Sequence, residues 1–175
     1  MTKAPILRQL TPAEAIQIAD QLGVLLIDAI AGGASVTFLP GLTPDRAADY
    51  WREVARAAKS DGRAMIAALD TEGVAGFVQV IPVAFENQRH RAEIAKLMVH
   101  SRARRRGLAA SLMGAAEDQA RAMGKTLLTL DTAKGDDAER VYDRLGWRRA
   151  GEIPDYALAP SGVLKTTALF WKRLD

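Results

Sequence analysis

At 175 residues, with a net charge of +3 and 49% hydrophobic residues, the chain has the make-up of one ordinary globular domain, residues 1–175. It has no cysteine, which excludes disulfides, thiolate zinc sites and a cysteine nucleophile. No signal-peptide core opens it and no apolar run reaches about 18 residues, so a soluble, cytoplasmic protein without a membrane partner is the expectation.

Residues 6–10 suit a short first strand. Thr11-Pro12-Ala13-Glu14 starts a helix, with Thr as N-cap, Pro at the first helical position and Glu at the third. Ile16, Ala19, Leu22, Leu26 and Ile30 give that helix one buried face, and Gly32-Gly33 ends it. A loop follows in which Val36, Phe38 and Leu39 either line a cavity or pack on the core. Thr43-Pro44-Asp45 opens a second helix, to about residue 58, with Ala47, Trp51, Val54 and Ala58 inward. Residues 63–69 and 74–83 read as a hairpin of strands, with Pro82 marking an edge or a distortion.

Residues 92–99 form the next strand and lead into an arginine-rich turn. A helix runs from Gly107 to about residue 123, and Gly124 closes it. A strand over 127–131 follows. Its helical connection predicts that it runs parallel to the strand ending at Val99. A short helix over 136–145 closes at Gly146. Strands over 147–153 and 164–172 finish the chain, joined by a loop holding Pro154, Tyr156 and Pro160. The order β-α-α-β-β-β-α-β-α-β-β predicts an α/β (α+β) fold. Its sheet is mixed, with helices on both faces and one central parallel pair.

The segment Arg104-Arg105-Arg106-Gly107-Leu108-Ala109 sits at a strand-to-helix junction, an R-x-x-G-x-A pattern. Glycine lets the backbone approach a ligand closely. The first amides of the helix have no partner within it, and the helix dipole adds partial positive charge. Such a turn seats a phosphate or pyrophosphate; a glycine tight turn with solvated arginines fits the same residues. With Arg102 this is the only dense basic cluster, and no aromatic stacking platform accompanies it. A nucleic-acid partner is therefore not expected.

Three features in order carry a resemblance. The strand Lys96-Leu97-Met98-Val99 precedes R-x-x-G-x-A and its helix. The strand Leu127-Leu128-Thr129-Leu130-Asp131-Thr132 follows. Then comes Val141-Tyr142-Asp143-Arg144-Leu145-Gly146-Trp147, a tyrosine-bearing helix closing on Gly-aromatic. Together they resemble the GNAT superfamily of acetyl-CoA-dependent N-acetyltransferases. Segments GGASV, RHRAE–KLMV, LDT and GE-PxY are also similar to the tabtoxin-resistance branch of that superfamily. The resemblance implies a mostly antiparallel seven-stranded sheet whose central parallel pair is splayed. It also implies acetyl-CoA as cosubstrate, no metal, a small-molecule amine as acceptor, and the possibility of a homodimer through the C-terminal strands. A protein or peptide acceptor is the alternative, as is a non-catalytic acyl-CoA-binding module.

By that resemblance, the amides from Arg105 through Ala110, hence also Arg106, Gly107, Leu108 and Ala109, hold the pyrophosphate. Leu97, Met98 and Val99 offer strand backbone to the pantetheine arm. Arg104 and Arg106 steer phosphates, and Arg144 reaches the 3′-phosphate. Many family members carry Asn seven residues before the tyrosine. Here Gly135 stands there, leaving Asp137, Thr132 or a backbone group to substitute.

Acetyl transfer needs an acid for the departing thiolate and a base for the amine. A phenol, with a reference pKa of about 10, is neutral at pH 7 and can protonate a thiolate, which points to Tyr142. A core tyrosine with a satisfied hydroxyl is the alternative. Glu93 and Asp131 are the candidate bases, since a lone carboxylate in an apolar strand is costly unless used or paired. An ion pair of Glu93 with Arg91 or Lys96 is the competing reading. His90 and His100 are further candidates, each beside arginines on a polar boundary.

Overall fold

The computed structural model describes residues 4–174. Strand β1 (Ile6–Leu10) leads to helix α1 (Pro12–Gln17), which begins on the predicted box. Glu14 N donates to Thr11 Oγ1 (3.2 Å) and Thr11 N donates to Glu14 Oε2 (2.8 Å). The single long helix expected here is two. Ile18 breaks the regular backbone, and α2 (Ala19–Ala31) starts afresh with no side-chain cap. The apolar spacing runs through the break, so periodicity alone does not register it. Helix α3 (Pro44–Asp61) starts on Thr43 and ends at Gly62 in the left-handed region. It buries Ala47, Trp51, Val54 and Ala58.

Strands β2 (Ala64–Asp70), β3 (Gly73–Pro82) and β4 (Arg91–Val99) follow as an antiparallel meander. Helix α4 (Leu108–Ala122) crosses to β5 (Leu127–Ala133). Helix α5 (Asp137–Arg144) then precedes β6 (Arg148–Leu158) and β7 (Leu164–Arg173). The seven strands lie in the order β1-β2-β3-β4-β5-β7-β6, and only β4 and β5 are parallel.

Strand β6 is longer than the sequence suggests, taking in Pro154 and Tyr156. It is an edge strand, where the missing amide of proline is tolerated. The register jumps from Ile153↔Thr167 to Ala157↔Lys165, so the residues around Pro154 bulge out of the ladder.

Helices α1–α3 cover one face of the sheet around Trp51, Phe77 and Met98. Helix α4 covers the other, where Leu112, Met113 and Ala116 meet Val78, Ile94 and Leu128. Two backbone features shape the space between β4 and β5. First, the strands pair only at Arg91↔Leu127, Ala92↔Leu128 and Glu93↔Thr129, then diverge. Second, β4 carries an extra residue: Gln79 faces Ala95 but Phe77 faces Met98. As a result Ile94 and Met98, equal in parity, land on opposite faces. Lys96 sits in this bulge with φ +56, a left-handed conformation costing a non-glycine residue roughly 1–2 kcal/mol.

Candidate active site

The divergence of β4 and β5 opens a slot made of two adjoining cavities that share Ala34, Leu97, Asp136 and Ala138 in their walls. The first, of about 340 Å³, lies toward β6. Glu93, Lys96, Asp131, Tyr142 and Thr37 line it. The second, of about 480 Å³, reaches the arginine turn and is lined by Gly32, Leu97, Met98, Val99, Arg104, Ala109, Gly135 and Asp137.

At the mouth of the second cavity the chain prepares a row of unused donors. Gly107 takes φ +76 and Arg105 takes φ +62, and the first turn of α4 begins directly after them. The first α4 amide with an acceptor is Ser111 N, bonded to Gly107 O. Among the described residues, the amides from Arg105 through Ala110 donate to nothing within the protein. Six successive free donors beside a helix N-terminus suit an oxyanion-rich group. The residues present thus fit the diphosphate of a nucleotide thioester.

The arginines beside this turn differ in their use. Arg102 is turned away, donating to Asp70 Oδ2 and Oδ1 at 2.5 and 3.0 Å. Arg104 lies along the slot. Its Nε donates to Val99 O (3.1 Å), and its guanidinium approaches Asp28 at 3.7 Å. The Val99 carbonyl is thereby partly occupied. Arg106 faces a separate groove with Pro5 and Ser111. Arg144 is exposed and lines neither cavity. Asp137 lies on the wall of the second cavity, with its carboxylate 3.8 Å from Arg140.

The first cavity gathers Tyr142, Glu93 and Asp131. Tyr142 is 5% exposed, its ring held against Phe170 and Trp147 at centroid distances of 5.6 and 6.1 Å. Among the described residues its hydroxyl forms no hydrogen bond, and it is not sealed in the core, so it is left for the cavity. Burial, reinforced by Asp131 and Asp136, pushes its pKa above that of an ordinary phenol. The proton therefore stays on the oxygen at neutral pH. Asp131 Oδ2 lies 3.0 Å from Thr167 Oγ1, whose single proton is shared with Thr132 O, also at 3.0 Å. Glu93 is exposed to the cavity and, among the described residues, has no hydrogen bond or ion pair. The two cations that compete for it are engaged elsewhere. Arg91 bonds Gln88 and Thr129, and Lys96 bonds Thr37. Neither histidine reaches this cavity: His100 sits 3.6 Å from Asp28, and the carbonyl of His90 accepts from Thr126 N and Leu127 N at the start of β5.

Three participants are not singled out by sequence reasoning. Asp28 on α2 accepts from Ser101 N (2.8 Å) and Ser101 Oγ (2.6 Å), tying the start of the arginine turn to α2. Asp136 lines both cavities with its carboxyl pushed up by burial, an effect that Lys165 opposes. Lys96 is half-buried in the first cavity. Asp28 and Lys96 are lone charges within apolar runs, the signal that picks out Glu93. Asp136 lies among other polar residues and gives no such signal.

Free amides at one mouth of a slot and a phenol with two carboxylates at the other are an arrangement that suits group transfer. The acetyltransferase (GNAT) family model matches residues 28–147, more than half of the chain. The chain belongs to that family and is an acyltransferase. Solved structures agree in fold. A ribosomal-protein-alanine N-acetyltransferase from Brucella melitensis superposes with a TM-score of 0.81 at 19% identity, covering 97% of this chain and 99% of that one. YncA from Salmonella typhimurium, whose structure holds its cofactor acetyl-CoA, gives 0.79 at 18%, covering 99% and 95%. A GCN5-related N-acetyltransferase from Kribbella flavida gives 0.77 at 20%, covering 97% of each chain.

Proposed function

We propose that the protein moves an acetyl group from acetyl-CoA to the primary amine of a small, amino-acid-like molecule, an antibiotic or a toxin, by direct transfer in a ternary complex. The observation that carries this reading is the continuity of one slot, with the free amides of residues 105–110 at one mouth and Tyr142, Glu93 and Asp131 at the other. Acetyl-CoA supplies the activated acetyl group. The amides of the turn bind its diphosphate, and the unpaired stretch of β4 beyond Glu93 offers backbone groups to the pantetheine arm. Glu93, directly or through water, takes the proton of the acceptor ammonium, and Asp131 orients the amine. Tyr142 gives its proton to the departing thiolate. Burial that raises the phenol pKa raises that of the thiol in the same surroundings, so the transfer stays matched.

A small acceptor fits the first cavity better than a polypeptide does, because the loop over residues 32–42 is tied across it by Lys96. The likeness to the tabtoxin-resistance branch supports the same class. The hairpin of β6 and β7 exposes Ile153, Tyr156, Leu158, Val163 and Leu164, which supports a homodimer through these strands. We place the enzyme in the cytoplasm.

The test is thiol release from acetyl-CoA with a panel of amines and peptides, with products identified by mass spectrometry. Acetylation of small amines and none of peptides is expected. Acetylation confined to peptides overturns the acceptor class, and absence of thioester binding overturns the whole reading.

A further inference from the structure

The walls of the acceptor cavity carry charges of both signs that do not neutralise one another. Lys96 lines it from the bulge of β4, held in a left-handed backbone conformation (φ +56). Its ammonium has three protons, and the protein takes one: Nζ donates to Thr37 Oγ1 at 2.6 Å. Thr37 is likewise left-handed, at φ +81. Glu93 and Asp131 line the same cavity, and both act on Lys96 through space, yet neither forms an ion pair with it. Desolvation disfavours the charged lysine here, as expected for an ammonium withdrawn from water without an anion against it. Asp131 is directed instead to Thr167, and among the described residues Glu93 has no hydrogen bond or ion pair. Folding has thus kept Lys96 apart from Glu93 and Asp131 in a cavity whose walls also carry Asp136 and Lys165, two charges that act on each other.

Resting on the acetyltransferase reading above, we infer that Lys96 receives an anionic group of the acceptor, so that the acceptor bears a carboxylate or similar oxyanion as well as its amine. The acceptor amine faces Glu93 and Asp131, and its oxyanion takes the two free protons of Lys96. A diamine or polyamine meets like charge at Lys96 and is discriminated against. Lys96 is a specificity-determining residue in this scheme; the proton transfers remain with Glu93 and Tyr142.

The test pairs each of a panel of L-α-amino acids with the amine left by its decarboxylation, and measures kcat/KM from coenzyme A release with wild type, Lys96→Met, Lys96→Arg and Thr37→Val. Wild type favours the carboxylated member by about 10- to 100-fold, the range for one charge-assisted contact. Lys96→Met collapses that ratio, chiefly through KM. Lys96→Arg keeps much of it, and Thr37→Val, which cuts the strap but leaves the ammonium, preserves it. Wild-type indifference to the carboxylate overturns the inference while leaving the transferase intact. So does an equal fall for both members in Lys96→Met and Thr37→Val, which marks the lysine as a strap. Thermal shift with the N-acetylated amino acids gives a second readout independent of turnover. Stabilisation of wild type that is lost in Lys96→Met supports the anion contact. Its absence across the panel counts against it, whereas failure to bind acetyl-CoA counts against the transferase reading alone.

Discussion

Replacing Tyr142 with Phe separates catalysis from folding. Phenylalanine keeps the ring, and with it the packing on Phe170 and Trp147 at 5.6 and 6.1 Å. The lost hydroxyl has no partner among the described residues, so its removal leaves no buried group unsatisfied. Stability should change by no more than about 0.5 kcal/mol, or roughly 2 °C in Tm for a chain of this length. The proposed diphosphate seat lies at the other mouth of the slot, so affinity for acetyl-CoA should hold within about twofold. A general acid contributes about 10²- to 10⁴-fold, and kcat should fall by that factor. Because burial, Asp131 and Asp136 push the phenol up, Tyr142 stays protonated as pH rises, and the wild-type rate should show no alkaline fall owed to it near its ordinary value. Steady-state kinetics from pH 6 to 10, calorimetric titration with acetyl-CoA and thermal melts make the three readings. An unchanged kcat would refute the assignment; a kcat loss matched by a large Tm loss would mean that the ring packing was misjudged.

Other outcomes follow from the same contacts. Glu117 is buried and bonds Lys172 Nζ at 2.7 and 2.8 Å and Trp147 Nε1 at 3.1 Å. Lys172→Met leaves that buried carboxylate without a counter-cation and should cost about 3–5 kcal/mol in urea unfolding, while Glu117→Gln added to it should restore most of the loss. Arg102 donates two bonds to Asp70 and holds its carboxyl below the usual range, whereas the unfolded chain titrates near 3.9. That contribution is complete above about pH 4 and is lost as pH falls through the depressed folded value. Asp70→Asn should therefore be less stable at pH 7 and decline less steeply with acid, and an unchanged acid slope would count against it. A methyl group on Gly76 would stand 3.0 Å from Met98 O and 2.9 Å from Leu112 Cδ1. Gly76→Ala should cost about 1–3 kcal/mol, read as a lowered Tm.

Much of the architecture is legible in local chemistry. The first strand falls where it is expected because its apolar run is bounded by the Thr11 capping box. Helices α3 and α4 are bracketed by their own caps, Thr43 and Gly62, Gly107 and Gly124. The break at Ile18 is invisible because both sides of it face one core. Strand β6 runs past Pro154 because a bulge on a sheet edge absorbs what an interior strand would reject.

The site divides in the same way. The turn at Gly107 and the helix bearing Tyr142 are recognisable in the chain because their signals are local: a positive φ, a helix start, a side chain at fixed spacing before Gly-Trp. What each charge meets is decided only by the fold. Arg102 pairs with Asp70, Lys96 with Thr37 and Asp131 with Thr167, partners about thirty to sixty residues away along the chain. Electrostatic interaction depends on distance and burial, and linear sequence encodes neither until β4 bulges and parts from β5.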